Sequence, residues 1–298
     1  MWKDLKLVTV KIFSVTGLFS RILTLALLLA TSGCAWLDGQ QRQIIYRPTP
    51  STVGLPSDVR PGDQAFLLAT PDAGASGQLA LWWLPHPAPN APTLLYLHGT
   101  FRNLLGNQHK IQALRDAGFA VLAVDYRGWG QSTAITPSEQ TILQDARVAW
   151  AELVRREPRA GRRVIYGHSM GSGVAVALAS SLPSQGAYGG LILESAFTSF
   201  ADVARAAGFW ASVLSLFNHE RFASIDHIGQ ITAPLLMLHG RRDDTVPIGL
   251  GERLFAAANA PKHWLVIENG QHSDLNLVAP EAYRQALQAF TARYVSPP

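Results

Sequence analysis

Short apolar runs recur along the chain between residues 94 and 267, and stretches with helical periodicity separate them. Apolar runs bounded by turn signals are typical of buried strands, and their alternation with helices favours a parallel sheet. We therefore predict an α/β fold with a mostly parallel central sheet and helices on both faces. The predicted strands cover residues 94–97, 120–124, 164–166, 191–193, 235–238 and 264–267.

Residues 35–92 differ in composition and are rich in Pro, Gly, Ser and Ala. Within them, residues 64–69 and 78–84 have strand-like patterns and predict an antiparallel hairpin. The prolines of residues 85–92 exclude a helix or central strand there, because proline lacks an N–H donor and restricts the preceding residue. We expect a leader and hairpin over residues 34–92 and a core domain over residues 93–298.

The first apolar stretch, residues 22–30, follows four basic residues and is shorter than the roughly 20 residues that a membrane-spanning helix needs. It is typical of a signal peptide, predicted over residues 1–33. The next residues, Thr31-Ser32-Gly33-Cys34, resemble a bacterial lipoprotein signal in which cleavage leaves Cys34 as a lipid-modified N-terminus. The alternatives are an uncleaved helical anchor, which would place Arg21 in the membrane, and a free thiol at Cys34.

A lipid-modified Cys34 would hold the protein on a membrane, since each buried CH₂ of an acyl chain contributes about 0.8 kcal/mol. Residue 35 is Ala and not Asp, which in the Gram-negative sorting pattern favours the outer membrane. We expect a protein of the bacterial cell envelope that is lipid-anchored to the outer membrane and faces the periplasm.

Most of the formal net charge of +4 lies in the predicted signal peptide, because residues 1–33 contain four Lys or Arg and one Asp. The remaining chain holds 21 Lys and Arg against 20 Asp and Glu, without a clustered basic stripe. This balance gives no indication of a nucleic-acid partner. The length of the chain after the predicted signal peptide, and the hydrophobic content of 48% over the whole sequence, suit one sizeable domain.

The pentapeptide Gly167-His168-Ser169-Met170-Gly171 lies between a strand-like run and a helix-like run of small residues, 174–179. A bare G-x-S-x-G pattern also occurs by chance, but this context is that of a nucleophile elbow. A serine on a sharp strand-to-helix turn exposes its hydroxyl, and flanking glycines give the turn the room it needs. Ser169 is therefore the candidate nucleophile.

A serine hydroxyl needs a base to take its proton and an acid to orient that base. The strand at 235–238 leads into the loop 239–247, which holds Asp243 and Asp244, and the strand at 264–267 leads into a loop that holds His272. Loops at the carboxyl ends of strands are where sheet enzymes place their sites. The order Ser, Asp, His is the one expected of α/β-hydrolases.

These motifs together resemble the Bem46-like group of α/β-hydrolases. The matching segments are Leu97-His98-Gly99, residues 125–132, the elbow, residues 193–199, the loop 239–247 and Asn269-Gly270-Gln271-His272. The resemblance implies an α/β-hydrolase fold with at most a small cap, and cleavage of an ester, thioester or amide through an acyl-enzyme. It implies no cofactor. Its motif H-G-x-x-D-x-x-V-P places the acid at Asp243, with Asp244 as the competitor and Glu194, after the strand at 191–193, as a third candidate.

The tetrahedral intermediate needs donors for its oxyanion, and backbone amides can supply them. Met170 would start the helix after the nucleophile, where N–H groups are free. The second donor should come from the loop after the strand at 94–97, where we expect Thr100, with Phe101 as the competitor.

Three other histidines have structural explanations. His98 and His239 each precede a glycine at a strand end, where they can satisfy loop carbonyls, and His168 occupies a variable position of the elbow. The His and carboxylate residues lack the spacing of a metal site, so we predict no metal.

The apolar stretch 200–231 is either an ordinary helix of the core or a small cap over an acyl pocket. A cap of this size would leave the site open, so small or flexible acyl esters are the expected substrates. The same triad would serve a peptidase or an acyltransferase. A non-catalytic envelope lipoprotein that uses the scaffold for binding is the alternative from another class.

Overall fold

The computed structural model describes residues 20–21, 24, 36–51, 54–55, 58–71, 77–183, 186–208 and 220–295. The chain forms two compact units, Met1–Ile44 and Ile45–Pro298. In the first unit, residues 36–44 are helical, and Arg42 pairs with Asp38 at 2.8 Å. No helix among the described residues is both long and apolar enough to cross a membrane. The predicted cleavage site and Cys34 lie outside the described residues.

A sheet of eight described strands forms the centre of the second unit. The strands are β1 Gln64–Ala69, β2 Gln78–Leu84, β3 Thr93–Leu97, β4 Ala120–Asp125, β5 Arg163–His168, β6 Gly190–Glu194, β7 Leu235–Gly240 and β8 Lys262–Ile267. Their order is β1-β2-β4-β3-β5-β6-β7-β8. Pairing is parallel from β4 through β8, and antiparallel between β1 and β2 and between β2 and β4. The predicted fold class is confirmed.

All six strands predicted from the apolar runs are present, each extended by one to three residues. Every residue of β3, β4, β5, β6 and β7 is buried, which explains their continuous apolar character. The predicted hairpin also forms, but it is part of the same sheet, because β2 pairs with β4 from Ala80 opposite Asp125 to Leu84 opposite Val121.

Helices cover both faces of this sheet. They are α1 Gln108–Asp116, α2 Glu139–Arg156, α3 Met170–Ser181, α4 Phe200–Ala207, α5 Ser224–His227, α6 Ile248–Ala257, α7 Leu275–Val278 and α8 Pro280–Tyr294, with 3₁₀ turns at Leu105–Asn107, Ala160–Arg162 and Ile228–Gln230. Alternate residues of β3 pack on opposite faces: Leu95 and Leu97 lie in the cluster with α2 and α3, and Leu94 and Tyr96 in the cluster with α1 and α8. The apolar centre of the stretch 200–231, residues 209–219, lies outside the described residues.

The carboxyl ends of the neighbouring strands β5, β6 and β7 meet at one edge of the sheet. Such an edge is the usual place for a site in a sheet of this kind. It carries His168 at the end of β5, Glu194 at the end of β6 and the loop that follows Gly240.

Candidate active site

Ser169 lies on a sharp turn between β5, which ends at His168, and α3, which begins at Met170. Its backbone has φ 55° and ψ −125°, a conformation that a residue with a Cβ rarely adopts. The turn is possible because Gly167 and Gly171 are glycines. A Cβ on Gly167 would lie 2.2 Å from the Gly171 carbonyl oxygen, and one on Gly171 would lie 2.0 Å from that of Leu97. The two glycines of the G-x-S-x-G pattern are therefore needed because the backbone of the turn leaves no space for a side chain at either position.

His272 contacts Ser169 at one ring nitrogen and Asp243 at the other. Its Nε2 lies 2.8 Å from Ser169 Oγ, and its Nδ1 lies 2.8 Å from Asp243 Oδ2 and 3.1 Å from Oδ1. An ionised carboxylate only accepts hydrogen bonds, so Nδ1 carries the proton and Nε2 accepts from the serine hydroxyl. The fold thus brings together three residues that the sequence places 103 and 29 positions apart.

Asp243 rather than Asp244 faces His272. The Asp243 carboxylate is buried and accepts the amides of Thr245 at 3.0 Å and Val246 at 2.7 Å, whereas Asp244 is exposed. Burial opposes ionisation of Asp243, but hydrogen bonds from His239, His272 and the Val246 amide hold the pKa of its carboxyl well below the ordinary value. Asp243 is therefore a charged acceptor in the neutral pH range.

Glu194 has a different environment, in a buried network with Lys110, Tyr166 and Tyr283. Burial is the largest single influence and opposes its ionisation, but the Lys110 charge together with the hydrogen bonds from Lys110 and Tyr166 lowers the pKa of the Glu194 carboxyl. The Glu194 backbone carbonyl accepts from the Ser169 amide at 3.0 Å. The Glu194 backbone thus holds the elbow through the Ser169 amide, while its carboxylate is bonded within the buried network and does not contact His272.

The two amides predicted to bind an oxyanion belong to segments that adjoin Ser169. Met170 is the first residue of α3, where N–H groups have no partner within the helix. The loop after β3 contacts the serine directly, since a Cβ on Gly99 would lie 2.9 Å from Ser169 Cβ. The Phe101 amide donates to the Tyr46 carbonyl at 3.3 Å, which favours Thr100 over Phe101 as the donor from this loop.

A cavity of about 610 Å³ opens over Ser169 and His272. Its size lies in the range typical of small-molecule sites. Its lining includes the segment 99–102, Asp244, Thr245 and the segment 271–274. The apolar side chains of Phe101 and Leu277 also line it and are 47% and 60% exposed.

The explanations for His98 and His239 agree with their contacts, since His98 Nδ1 lies 2.6 Å from the Gly99 carbonyl oxygen and His239 Nε2 2.9 Å from that of Val246. His239 Nε2 also lies 3.4 Å from Asp243 Oδ2, a contact that the sequence did not indicate. The sequence likewise gave no indication that His168 and Ser195 both reach the backbone of His272. Only their positions could have indicated this: His168 precedes the candidate nucleophile, and Ser195 follows β6 at the same sheet edge.

The described residues contain no group of three or more His, Cys, Asp or Glu residues that could hold a metal ion.

Known proteins match the chain in sequence and in fold. An uncharacterized protein of Mycobacterium tuberculosis, MT2364, is 32% identical over 271 residues, which cover 90% of this chain and 93% of that protein. The family model described as serine aminopeptidase, S33, matches residues 88–221. A structure of the Pyrococcus furiosus esterase Pf2001 superposes with a TM-score of 0.67 and 20% identity, over 84% of this chain and 97% of that one.

The chain belongs to the α/β-hydrolase superfamily. This hydrolase also resembles the lysophosphatidylserine lipase ABHD12 of Danio rerio, with 33% identity over 206 residues. That match covers 63% of the hydrolase and 53% of the lipase. The family and its relatives support hydrolase activity.

Proposed function

We propose that this protein is a Bem46-like serine hydrolase that cleaves an ester bond through an acyl-enzyme on Ser169. The observation that carries the proposal is the continuous set of hydrogen bonds from Asp243 through His272 to the Ser169 hydroxyl. Three groups in this order and geometry turn a weakly nucleophilic hydroxyl into an effective one.

In the first half of the reaction, Ser169 Oγ attacks the carbonyl carbon of the ester while His272 Nε2 takes the hydroxyl proton. The resulting imidazolium is stabilised by the charged Asp243 carboxylate at its Nδ1–H. His272 then gives the proton to the leaving alcohol, and the acyl group stays on Ser169. In the second half, His272 takes a proton from the water that attacks the acyl carbon. It returns this proton to Ser169 Oγ as the bond to the acyl group breaks and the acid leaves.

The negative charge of each tetrahedral intermediate falls on the former carbonyl oxygen. We assign the amides of Thr100 and Met170 as its donors, because both belong to segments that flank Ser169. One such donor contributes about 3 to 4 kcal/mol to catalysis in a well-studied serine hydrolase. Only backbone atoms take part, so the Thr100 side chain is free to face the cavity.

An ester is favoured over an amide because ABHD12, a relative at 33% identity, is named as a lipase. The name of the family model, serine aminopeptidase, supports the peptidase alternative, and a triad of this kind also serves acyltransferases. The cavity of about 610 Å³ above Ser169 suits small or flexible acyl groups. The proposal requires no cofactor and no metal.

We further propose that the enzyme acts at the bacterial cell envelope, anchored through a lipid-modified Cys34 and facing the periplasm from the outer membrane. The basic residues before the apolar stretch 22–30 and the single cysteine after it support this location. Growth with a labelled fatty acid tests it: label should enter the wild type and be absent from Cys34→Ala, which should also leave the membrane fraction. Equal labelling of both proteins would overturn the anchor.

Labelling with a fluorophosphonate probe tests the proposed chemistry. Wild type should be labelled, and Ser169→Ala and His272→Ala should each abolish labelling. Ser180→Ala, on the same helix as the elbow but with its hydroxyl on the Ala177 carbonyl, and His263→Ala, whose ring contacts Tyr294, serve as matched controls that keep it. A folded wild type that resists the probe would overturn the serine hydrolase and favour the non-catalytic binding protein.

A further inference from the structure

The backbone carbonyl of His272 accepts two side-chain hydrogen bonds. His168 Nε2 lies 3.0 Å from this oxygen, and Ser195 Oγ also lies 3.0 Å from it. His272 stands in a loop, residues 268–274, that has neither helix nor strand. Other bonds hold the neighbouring residues, since the Gly270 carbonyl accepts the Arg242 amide at 2.9 Å and the Gln271 amide donates to Asp274 at 2.7 Å. The His272 carbonyl itself receives the two side chains in place of the backbone partner that a helix or strand would give.

His168 is suited to donate one of these bonds. A carbonyl oxygen can only accept, so Nε2 must carry a hydrogen. Burial, reinforced by the Lys110 charge, lowers the pKa of His168 to about 3, so the ring is neutral in the physiological range. In this tautomer Nδ1 carries no hydrogen, and Nδ1 is buried without a hydrogen-bond partner among the described residues. The bond to His272 is thus the one described polar contact of this ring.

Ser195 is held so that its hydroxyl reaches the same oxygen. It directly follows β6 and has φ 50°, in the left-handed region that favours glycine. Its amide donates to the Leu238 carbonyl at 2.9 Å, which fixes this backbone against β7. Like His168, Ser195 is buried.

We propose that His168 and Ser195 are positioning residues that form a carbonyl clamp on His272 and thereby set the distance between its imidazole and Ser169. The inference rests on the proposed function. His168 directly precedes Ser169 in the chain. The same short segment therefore carries the proposed nucleophile and, through the His168 side chain, a hydrogen bond to the loop that holds the proposed base, His272. Asp243 holds the Nδ1 end of the ring, and the clamp holds the backbone from which the ring extends.

The expected effect of losing the clamp is kinetic. A misplacement of about 1 Å in a catalytic group can lower the rate by about 10²-fold. We expect Ser195→Ala and His168→Leu each to lower kcat by about 10-fold, and the double variant by up to about 10²-fold. KM should change little, because neither clamp bond is made to the substrate. His168→Gln, which restores an N–H donor, should recover part of the loss.

Hydrolysis of p-nitrophenyl butyrate, with active sites counted by fluorophosphonate titration and thermal unfolding measured in parallel, separates positioning from stability. Ser132→Ala removes a buried hydroxyl that bonds the Asp125 carbonyl at 2.6 Å, and His263→Leu removes a ring nitrogen that bonds Tyr294. Both controls should keep the wild-type kcat per active site.

The outcomes are distinct. Reduced kcat per active site in the clamp variants alone, with partial recovery in His168→Gln, supports the clamp. Wild-type kcat per active site in Ser195→Ala and His168→Leu, even with a lower melting temperature, overturns the clamp and leaves the serine hydrolase intact. If His168→Leu does not fold, Ser195→Ala decides. A wild type that neither hydrolyses the ester nor reacts with the probe overturns the proposed function, and the clamp with it.

Discussion

Lys110 and Glu194 form a buried ion pair although they are 84 residues apart in the sequence. Glu194 also receives the Tyr283 hydroxyl at 3.0 Å, and its backbone carbonyl accepts the Ser169 amide. The pair therefore connects α1, the end of β6 and the turn that carries the proposed nucleophile. Removing one charge would leave the other buried without compensation, which costs about 3–5 kcal/mol.

We accordingly expect Lys110→Met to lower the free energy of unfolding by about 3–5 kcal/mol, and Lys110→Met combined with Glu194→Gln to recover much of it. Urea unfolding measures both effects. Arg60→Met is the surface comparison, because the Arg60–Asp116 pair is exposed and such pairs contribute at most about 1 kcal/mol. A Lys110→Met protein as stable as the wild type would mean that Glu194 is not charged in the fold.

Substitution of Asp243 and of Asp244, one at a time, tests which of these two neighbouring aspartates is the acid. Asp243→Asn should lower kcat by about 10⁴-fold, because an amide in this position favours the wrong tautomer of the histidine. Asp244→Asn should stay close to the wild type, since Asp244 is exposed and does not contact His272. Rates with p-nitrophenyl butyrate decide between them, and the reverse ranking would move the acid to Asp244.

The free energy of unfolding should decrease as pH falls, and protonation of His168 in the unfolded state accounts for part of the decrease. Its pKa is lowered to about 3 in the fold by burial and by the nearby Lys110 charge, whereas an unfolded histidine titrates near 6.5. The unfolded state therefore binds the proton first, so this contribution is fully present above about pH 6.5 and is lost as pH falls toward 3. Asp243, with its lowered pKa, adds a similar loss only below about pH 3.9.

Urea unfolding at several pH values checks this dependence. His168→Gln should flatten the decline between about pH 6.5 and pH 4. Ser195→Ala, which removes the other bond to the His272 carbonyl but no titrating group, should keep it. Equal slopes in His168→Gln and wild type would show that His168 does not titrate in this way.

The assignment of the Thr100 amide can be tested by removing its N–H. Thr100→Pro should lower kcat by about 10²–10³-fold, because one oxyanion donor is lost. The preceding residue is Gly99, which tolerates the restriction that a proline imposes on its neighbour. Thr100→Ala retains the amide and should remain within a few-fold of wild type. Full activity in Thr100→Pro would mean that a group other than the Thr100 amide binds the oxyanion.

The strands and the proposed triad could be predicted because their signals are local. Buried parallel strands are continuous apolar runs, and Ser169, Asp243 and His272 each follow such a run within a few residues. The family motif pointed to Asp243, and the physical reason lies in the turn, where the carboxylate accepts the amides of Thr245 and Val246 and so points inward.

The remaining contacts could not be predicted, because they depend on partners that a sequence does not specify. The acceptor for His168 and Ser195 is a backbone carbonyl, which every residue possesses. The Lys110–Glu194 pair depends on how α1 packs against the end of β6. The pairing of β2 with β4 depends on which edge of the sheet is open, and the alternating pattern of a hairpin does not contain that information.

The position of the hairpin bears on how the protein can be shortened for production. Strand β2 occupies the edge of β4, and every residue of β4 is buried. A chain that begins at residue 93 would expose a row of unpaired amides and carbonyls along an apolar strand, which is a template for association with other copies. Soluble expression of the region that carries the candidate site therefore requires residues 64–84, and fragments that lack them should be recovered as aggregates.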